Sequence, residues 1–151
     1  MIGPAYPQDL SLLMEIERLC FRRDQFSPAL YLSFLLSSDA EVYLYRQGDG
    51  AVGSLVLVFP PERDHCHLVS VAVHPDHRRR GIGREMMAFA EGRARAWDRS
   101  RIRLEVRKAN AVARRLYEKL DYRASRVLRD YYGEGIDGVL YIKKLAPGDE
   151  E

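Results

Sequence analysis

Two cysteines in 151 residues, Cys20 and Cys66, are too few for a disulfide framework or a four-thiolate zinc site. No stretch approaches the roughly 18 uninterrupted apolar residues of a membrane span. Residues 1–9 lack the basic segment and apolar run of a signal peptide, so the cytoplasm is the expected compartment. No internal repeat, low-complexity tract or Pro/Gly/Ser-rich linker divides the chain. One domain over residues 1–146 is therefore expected, followed by an acidic, frayed tail over 147–151. With 46% hydrophobic and 30% charged residues, wholesale disorder is excluded.

The net charge is nearly nil, +2, but this hides a division. Residues 78–130 carry 15 Arg and 2 Lys against 7 acids, and the remainder carries 7 basic groups against 15 acids. Charge separated in this way suggests that one region faces an anion. The plain alternative is an arginine-rich surface, since 20 of the 24 basic residues are Arg.

Residues 2–6 read as a short strand. Over 8–21, Leu12, Leu13, Ile16, Leu19 and Cys20 recur at helical spacing. Ser27 and Pro28 supply an N-cap and a first-turn proline for a second helix to about residue 36. Two strands, 41–46 and 51–59, flank the turn residues 47–50 and form a hairpin. A further strand spans 65–73. Residues 81–97 carry Ile82, Met86, Phe89, Ala90 and Trp97 on one helical face. Ile102, Leu104 and Val106 then alternate with Arg101, Arg103 and Glu105, as in a half-exposed strand. A helix over about 110–120 and strands over 122–130 and 139–143 complete the chain. Strand, helix and strand across 65–107 form a βαβ unit, whose strands run parallel with a right-handed crossover. The expected fold class is therefore α/β (α+β): a mixed, largely antiparallel twisted sheet of about seven strands with a central parallel unit and about four helices.

The sharpest local signal is the stretch from Val71, Ala72 and Val73 through Arg78, Arg79 and Arg80 to Gly81, Ile82, Gly83 and Arg84. A strand ends, a basic loop follows, and two glycines open a helix. The first amides of a helix lack internal partners and sit at the positive end of its dipole, so phosphate oxygens can be received there. A P-loop is excluded, because no Gly-Lys-Ser/Thr follows. A dinucleotide fingerprint fails where Met86 stands in place of its third glycine.

Arg78-x-x-Gly81-x-Gly83 after this strand resembles the acetyl-coenzyme-A loop of the GNAT superfamily of N-acetyltransferases. A second block extends the likeness: 104–110, then Ala113, Leu116, Tyr117 and Leu120, with Tyr131-Tyr132-Gly133 before the last strand. Within the superfamily the chain is most similar to ribosomal-protein alanine and other protein N-terminal acetyltransferases. The resemblance implies acetyl-coenzyme A as co-substrate, its pyrophosphate on the amides of 79–84 with Arg78 opening the loop. It also implies the backbone of Val71, Ala72 and Val73 along the pantetheine arm, with Asn110 bonding the same arm or acting as a plain helix cap. Glu105 is the implied general base, or else an ion-pair partner of Arg103 or Arg107. Tyr117 is the implied general acid, although its spacing with Ala113 and Leu120 also fits a core tyrosine. Phe26, Tyr131 and Tyr132 are implied on the acceptor side.

The implied reaction is direct attack by a primary amine, most readily a protein or peptide N-terminus, with lysine or a small amine as the alternative acceptor. From other classes stand a non-catalytic acetyl-coenzyme-A sensor and a nucleic-acid-binding module. No reader motif accompanies the arginines, and no membrane contact is expected; monomer and dimer stay open. His65, His67, His74 and His77 have no cysteine or carboxylate set at ligand spacing, so no metal is expected. Cys66, mid-strand, reads as buried packing rather than a nucleophile. Three positions depart from the family pattern. Asp121 stands where glycine is usual and requires a helix-ending, left-handed backbone. Residues 22–26 and 135–138 lack the family's usual acceptor-side features, and these bear on which amine is acetylated.

Overall fold

The computed structural model describes residues 1–146; the acidic tail read over 147–151 lies outside the described residues. The elements are β1 (Ile2–Pro4), α1 (Leu10–Cys20), α2 (Pro28–Leu36), β2 (Ala40–Gln47), β3 (Gly50–Val58), β4 (His65–Val73), α3 (Ile82–Ala96), β5 (Arg101–Arg107), α4 (Ala111–Lys119), β6 (Arg123–Leu128) and β7 (Gly138–Lys144). Their ends follow local chemistry. Ser27 Oγ accepts the Leu30 N–H at 3.1 Å to start α2, behind the first-turn Pro28. Asn110 Oδ1 accepts the Ala113 N–H at 3.1 Å to start α4. Beyond the end of α4, Asp121 takes φ 70°, the left-handed backbone anticipated for it.

The seven strands form one sheet in the order β1-β2-β3-β4-β5-β7-β6. Every pairing is antiparallel except β4 with β5. One face packs against α3 and α4 through Leu55, Leu57, Cys66, Leu68, Met86, Ala90, Ile102, Leu104 and Tyr141. On the other face, Leu13, Ile16 and Tyr31 of α1 and α2 pack on Val42, Leu44, Val56 and Ala72. Helices α1 and α2 cover β2, β3 and β4. All of β6 is exposed apart from the half-buried Leu128, and it stops two residues before the expected end, as the chain turns toward Asp130 at φ 55°.

A bulge in β4 prepares the site. Its register with β3 shifts between Val56 and Leu57, leaving Val69 as the extra residue. Before the bulge, Cys66 and Leu68 face α3; after it, Ala72 faces α1 and α2. A bulge bends its strand and ends regular pairing. The parallel ladder to β5 accordingly covers only His65 to His67, against Arg101 to Arg103. Beyond these residues β4 and β5 part, and a gap opens within the sheet.

Candidate active site

On the β4 side of the gap the backbone groups alternate in direction. The His74 N–H donates to Val52 O at 2.7 Å, toward β3. Strand backbone alternates, so Val73 and Val71 turn their amides and carbonyls the other way, into the gap. Arg78 Nε and Cys20 Sγ both donate to Val73 O, at 3.0 and 3.3 Å. Ala72 differs from its two neighbours: its backbone turns toward Ser54 of β3 and its methyl packs in the α1–α2 core. Gly81 holds φ 82° as the N-cap of α3, a backbone that a side chain would strain. The first intrahelical bond runs from Glu85 N to Gly81 O at 2.9 Å, so the amides of Ile82, Gly83 and Arg84 remain free for a ligand. The Ile82 side chain is buried, anchoring this turn, whereas Arg78, Arg79, Arg80 and Arg84 are exposed around it. Asn110 spends its side-chain oxygen on the α4 cap, as one of its two readings required.

On the β5 side, Glu105 lies on the outward face yet is only 11% exposed. Its carboxylate is hydrogen-bonded to His67 Nε2 at 2.7 Å, and His67 is 29% exposed. Neither arginine that flanks Glu105 in sequence pairs with it. Arg107 instead binds Asp24 of the α1–α2 loop at 2.7 Å, with its guanidinium 5.3 Å from the Tyr132 ring centroid.

Tyr117 of α4 packs beside Tyr122 and Tyr141, and burial pushes its phenol up to about 12. Its hydroxyl has no hydrogen-bond partner among the described residues, which leaves it free to donate. The Tyr132 phenol is also raised, by burial first and then by Tyr131, Glu105, Asp24 and Tyr117 around it. That list of neighbours brings β5, α4, the α1–α2 loop and the β6–β7 loop to one place.

Two loops frame this place. Glu17, 1% exposed, accepts the Phe26 N–H at 2.8 Å and the Tyr31 hydroxyl at 2.7 Å. Phe26 is half-buried, its ring against Tyr31 and Phe34. Tyr131 and Tyr132 meet edge to face at 5.0 Å, and Tyr131 is half exposed. A Cβ on Gly138 would come within 3.0 Å of the Tyr132 ring and 3.3 Å of Tyr131, so only glycine lets this pair close over the start of β7.

The structure therefore brings together Glu105, Tyr117, Tyr131 and Tyr132, with the β4 edge and the α3 turn alongside. Sequence reasoning did not single out His67 as the partner of Glu105, nor Glu17; it named Arg107 only as a partner for Glu105, and Asp24 and Gly138 only as members of the segments 22–26 and 135–138. His67 and Glu105 are diagonal neighbours across the parallel pair, and only the strand register reveals that. Cys66 is buried in the core with its thiol pushed up to about 12, so it is held as the unreactive thiol. Among the described residues no group of three or more His, Cys, Asp or Glu side chains is arranged to hold a metal.

The family model described as acetyltransferase (GNAT) family matches residues 10–122. An uncharacterized N-acetyltransferase of Methanocaldococcus jannaschii is 33% identical over 138 residues, 91% of this chain and 86% of the relative. An N-alpha-acetyltransferase of Saccharolobus solfataricus is 38% identical over 80 residues, 52% of this chain and about half, 48%, of that protein. Among solved structures, the ribosomal-protein-S18-alanine N-acetyltransferase of Escherichia coli matches with a TM-score of 0.85 at 22% identity, over 100% of this chain and 98% of that one. Arabidopsis thaliana NAA60 in complex with acetyl-CoA matches with a TM-score of 0.84 at 18% identity, over 96% and 98%. At these identities the two structures speak to the shared fold alone.

Proposed function

This chain belongs to the GNAT family of acetyltransferases, and from that premise we propose that its acceptor is the α-amino group at the N-terminus of a polypeptide. The protein is an N-acetyltransferase that uses acetyl-CoA as co-substrate. The observation that carries the finer reading is the Glu105–His67 pair, 2.7 Å apart at the mouth of the β4–β5 gap.

Acetyl-CoA supplies a thioester whose carbonyl carbon accepts the amine. The free amides of Ile82, Gly83 and Arg84, ringed by Arg78, Arg79 and Arg80, suit the cofactor's pyrophosphate. The gap-facing amides of Val71 and Val73 and the Val71 carbonyl suit amide groups along the cofactor arm, as a strand added to the open edge. Asn110 retains its side-chain N–H groups for the same arm.

Glu105 takes the proton of the attacking amine, directly or through one water, and His67 connects the carboxylate to solvent. Tyr117 gives its proton to the departing sulfur as the C–S bond breaks and the new C–N bond is complete. Burial keeps that phenol protonated throughout the neutral range. An α-amine costs only about 1 kcal/mol to deprotonate at pH 7, whereas lysine costs roughly 4–5 kcal/mol. A carboxylate relay therefore suits a chain terminus better. Holding amine and thioester together provides the larger part of the acceleration, with proton transfer adding about 10²–10⁴.

The test is incubation with acetyl-CoA and a mixed panel of N-terminal peptides, N-blocked lysine peptides and small amines, read by mass spectrometry. Acetylation of peptide α-amines is expected. A product confined to lysine side chains or small amines overturns this reading.

A further inference from the structure

The sheet face that α1 and α2 leave open next to Glu105 carries a surplus of one charge. Arg101 and Arg103 of β5 lie on it. Arg123 and Arg126 of β6 join them, opposite Ile142 and Leu140 of β7, which in turn oppose Arg103 and Glu105. Asp64 engages only Arg101, at 2.8 Å, and Glu105 engages His67. Arg103, Arg123 and Arg126 have no acidic partner among the described residues. A solvated sheet face ordinarily balances both signs; here the two acidic groups at its border, Asp64 and Glu105, are each already paired. The crowding is felt by His65 on the same face: burial lowers its pKa, the neighbouring Arg103 lowers it further, and Asp64 only partly opposes them. A shallow depression between Asp64, His65, Arg103 and Ile142 runs into this face.

We propose that this face binds acidic side chains of the acceptor polypeptide, just downstream of the amine held at Glu105. The proposal rests on the reading of the acceptor as a polypeptide N-terminus and narrows it to termini followed by Asp or Glu. Spacing supports it. Arg103 is two residues along β5 from Glu105, about 7 Å, and Arg126 lies two strands across, about 10 Å. An extended polypeptide advances about 3.4 Å per residue, so its second to fourth residues fall among these arginines. Nucleic acid suits the face less well, because the carboxylates of Asp64 and Glu105 border it and the apolar Leu140 and Ile142 form its floor. Charge complementarity of this kind steers the encounter and sets the register of binding.

The test uses the full chain and three peptides that share a first residue and differ at positions two to four, acidic, neutral or basic. Values of kcat/KM for acetylation are expected to fall in that order, with the acidic peptide at least about fivefold above the neutral one at low salt. The difference should shrink as ionic strength rises, since these charges are exposed. The double substitution Arg123→Gln/Arg126→Gln, on an exposed edge strand, is expected to erase most of the acidic preference. Equal kcat/KM for the three peptides overturns this inference while leaving the N-terminal reading intact. A preference that survives both high salt and the double substitution overturns it as well. If no peptide α-amine is acetylated, both readings fall together.

Discussion

A carboxylate at an outward strand position is ordinarily solvated, but Glu105 is nearly covered and bonded to His67. Burial raises the phenols of Tyr131 and Tyr132, and both are near enough for the Glu105 charge to raise them further. Tyr117 sits in the opposite condition for its type, a buried phenol whose oxygen bonds to nothing among the described residues. Glu105 lies beside the gap between β4 and β5, and Tyr117 lies on α4 in the core against Tyr122 and Tyr141. Glu105→Gln keeps the shape of the side chain without its basicity, and Tyr117→Phe removes one oxygen. Each is expected to lower kcat by about 10²–10⁴, with KM for acetyl-CoA nearly unchanged, as initial-rate kinetics would show. Tyr117→Phe should leave stability within about 0.5 kcal/mol, because no bond is lost. Unchanged kcat in both variants removes these assignments.

Among the elements, the α1–α2 loop depends on a buried acid. Glu17 on α1 reaches across to the Phe26 amide and the Tyr31 hydroxyl, while Asp24 of the same loop is tied to Arg107 of β5. Burial raises the Glu17 pKa above its ordinary value, and the bonds from Phe26 and Tyr31 only partly oppose this. A raised folded-state pKa means that the group's favourable contribution is complete below the unfolded value, near 4.5, and is lost as pH rises through the folded value. The unfolding free energy of the native chain, relative to Glu17→Gln, is therefore expected to decline between pH 4 and pH 8. Urea titrations at the two pH values check the sign; a relative stability that grows with pH shows that the bonds, not burial, dominate. The helix starts at Ser27 and Asn110 and the left-handed Asp121 were legible beforehand, since a cap or helix end is decided by a few neighbouring residues. Glu17 was not legible: on its helix it is one polar residue beside an apolar stripe, and only the path of the loop explains its burial.

At the scale of the whole molecule, the proposed placement makes acetyl-CoA a joint. In it the cofactor lies between β4 and β5, with the α3 turn at one end and α4 at the other, so binding is expected to tie together elements that part after the bulge at Val69. At 100 times its dissociation constant, a ligand of the native state adds about 2.7 kcal/mol. For a chain of this size that raises the unfolding midpoint by about 5–10 °C, measurable by thermal denaturation with and without the cofactor. No shift at saturation rejects this placement of the cofactor. The amino-acid sequence by itself determined the succession of strands and helices, the glycine turn after Val73, and the residue types at Glu105 and Tyr117 on which the proposed chemistry rests. Period, capping and turn preference act within a few residues and can be read in one dimension. Strand register, the bulge, the meeting of His67 with Glu105 and the bare cationic face of β5, β7 and β6 were decided only in the tertiary structure. They depend on which residues far apart in the chain become neighbours, and that is chosen by how the two cores pack on the sheet as a whole.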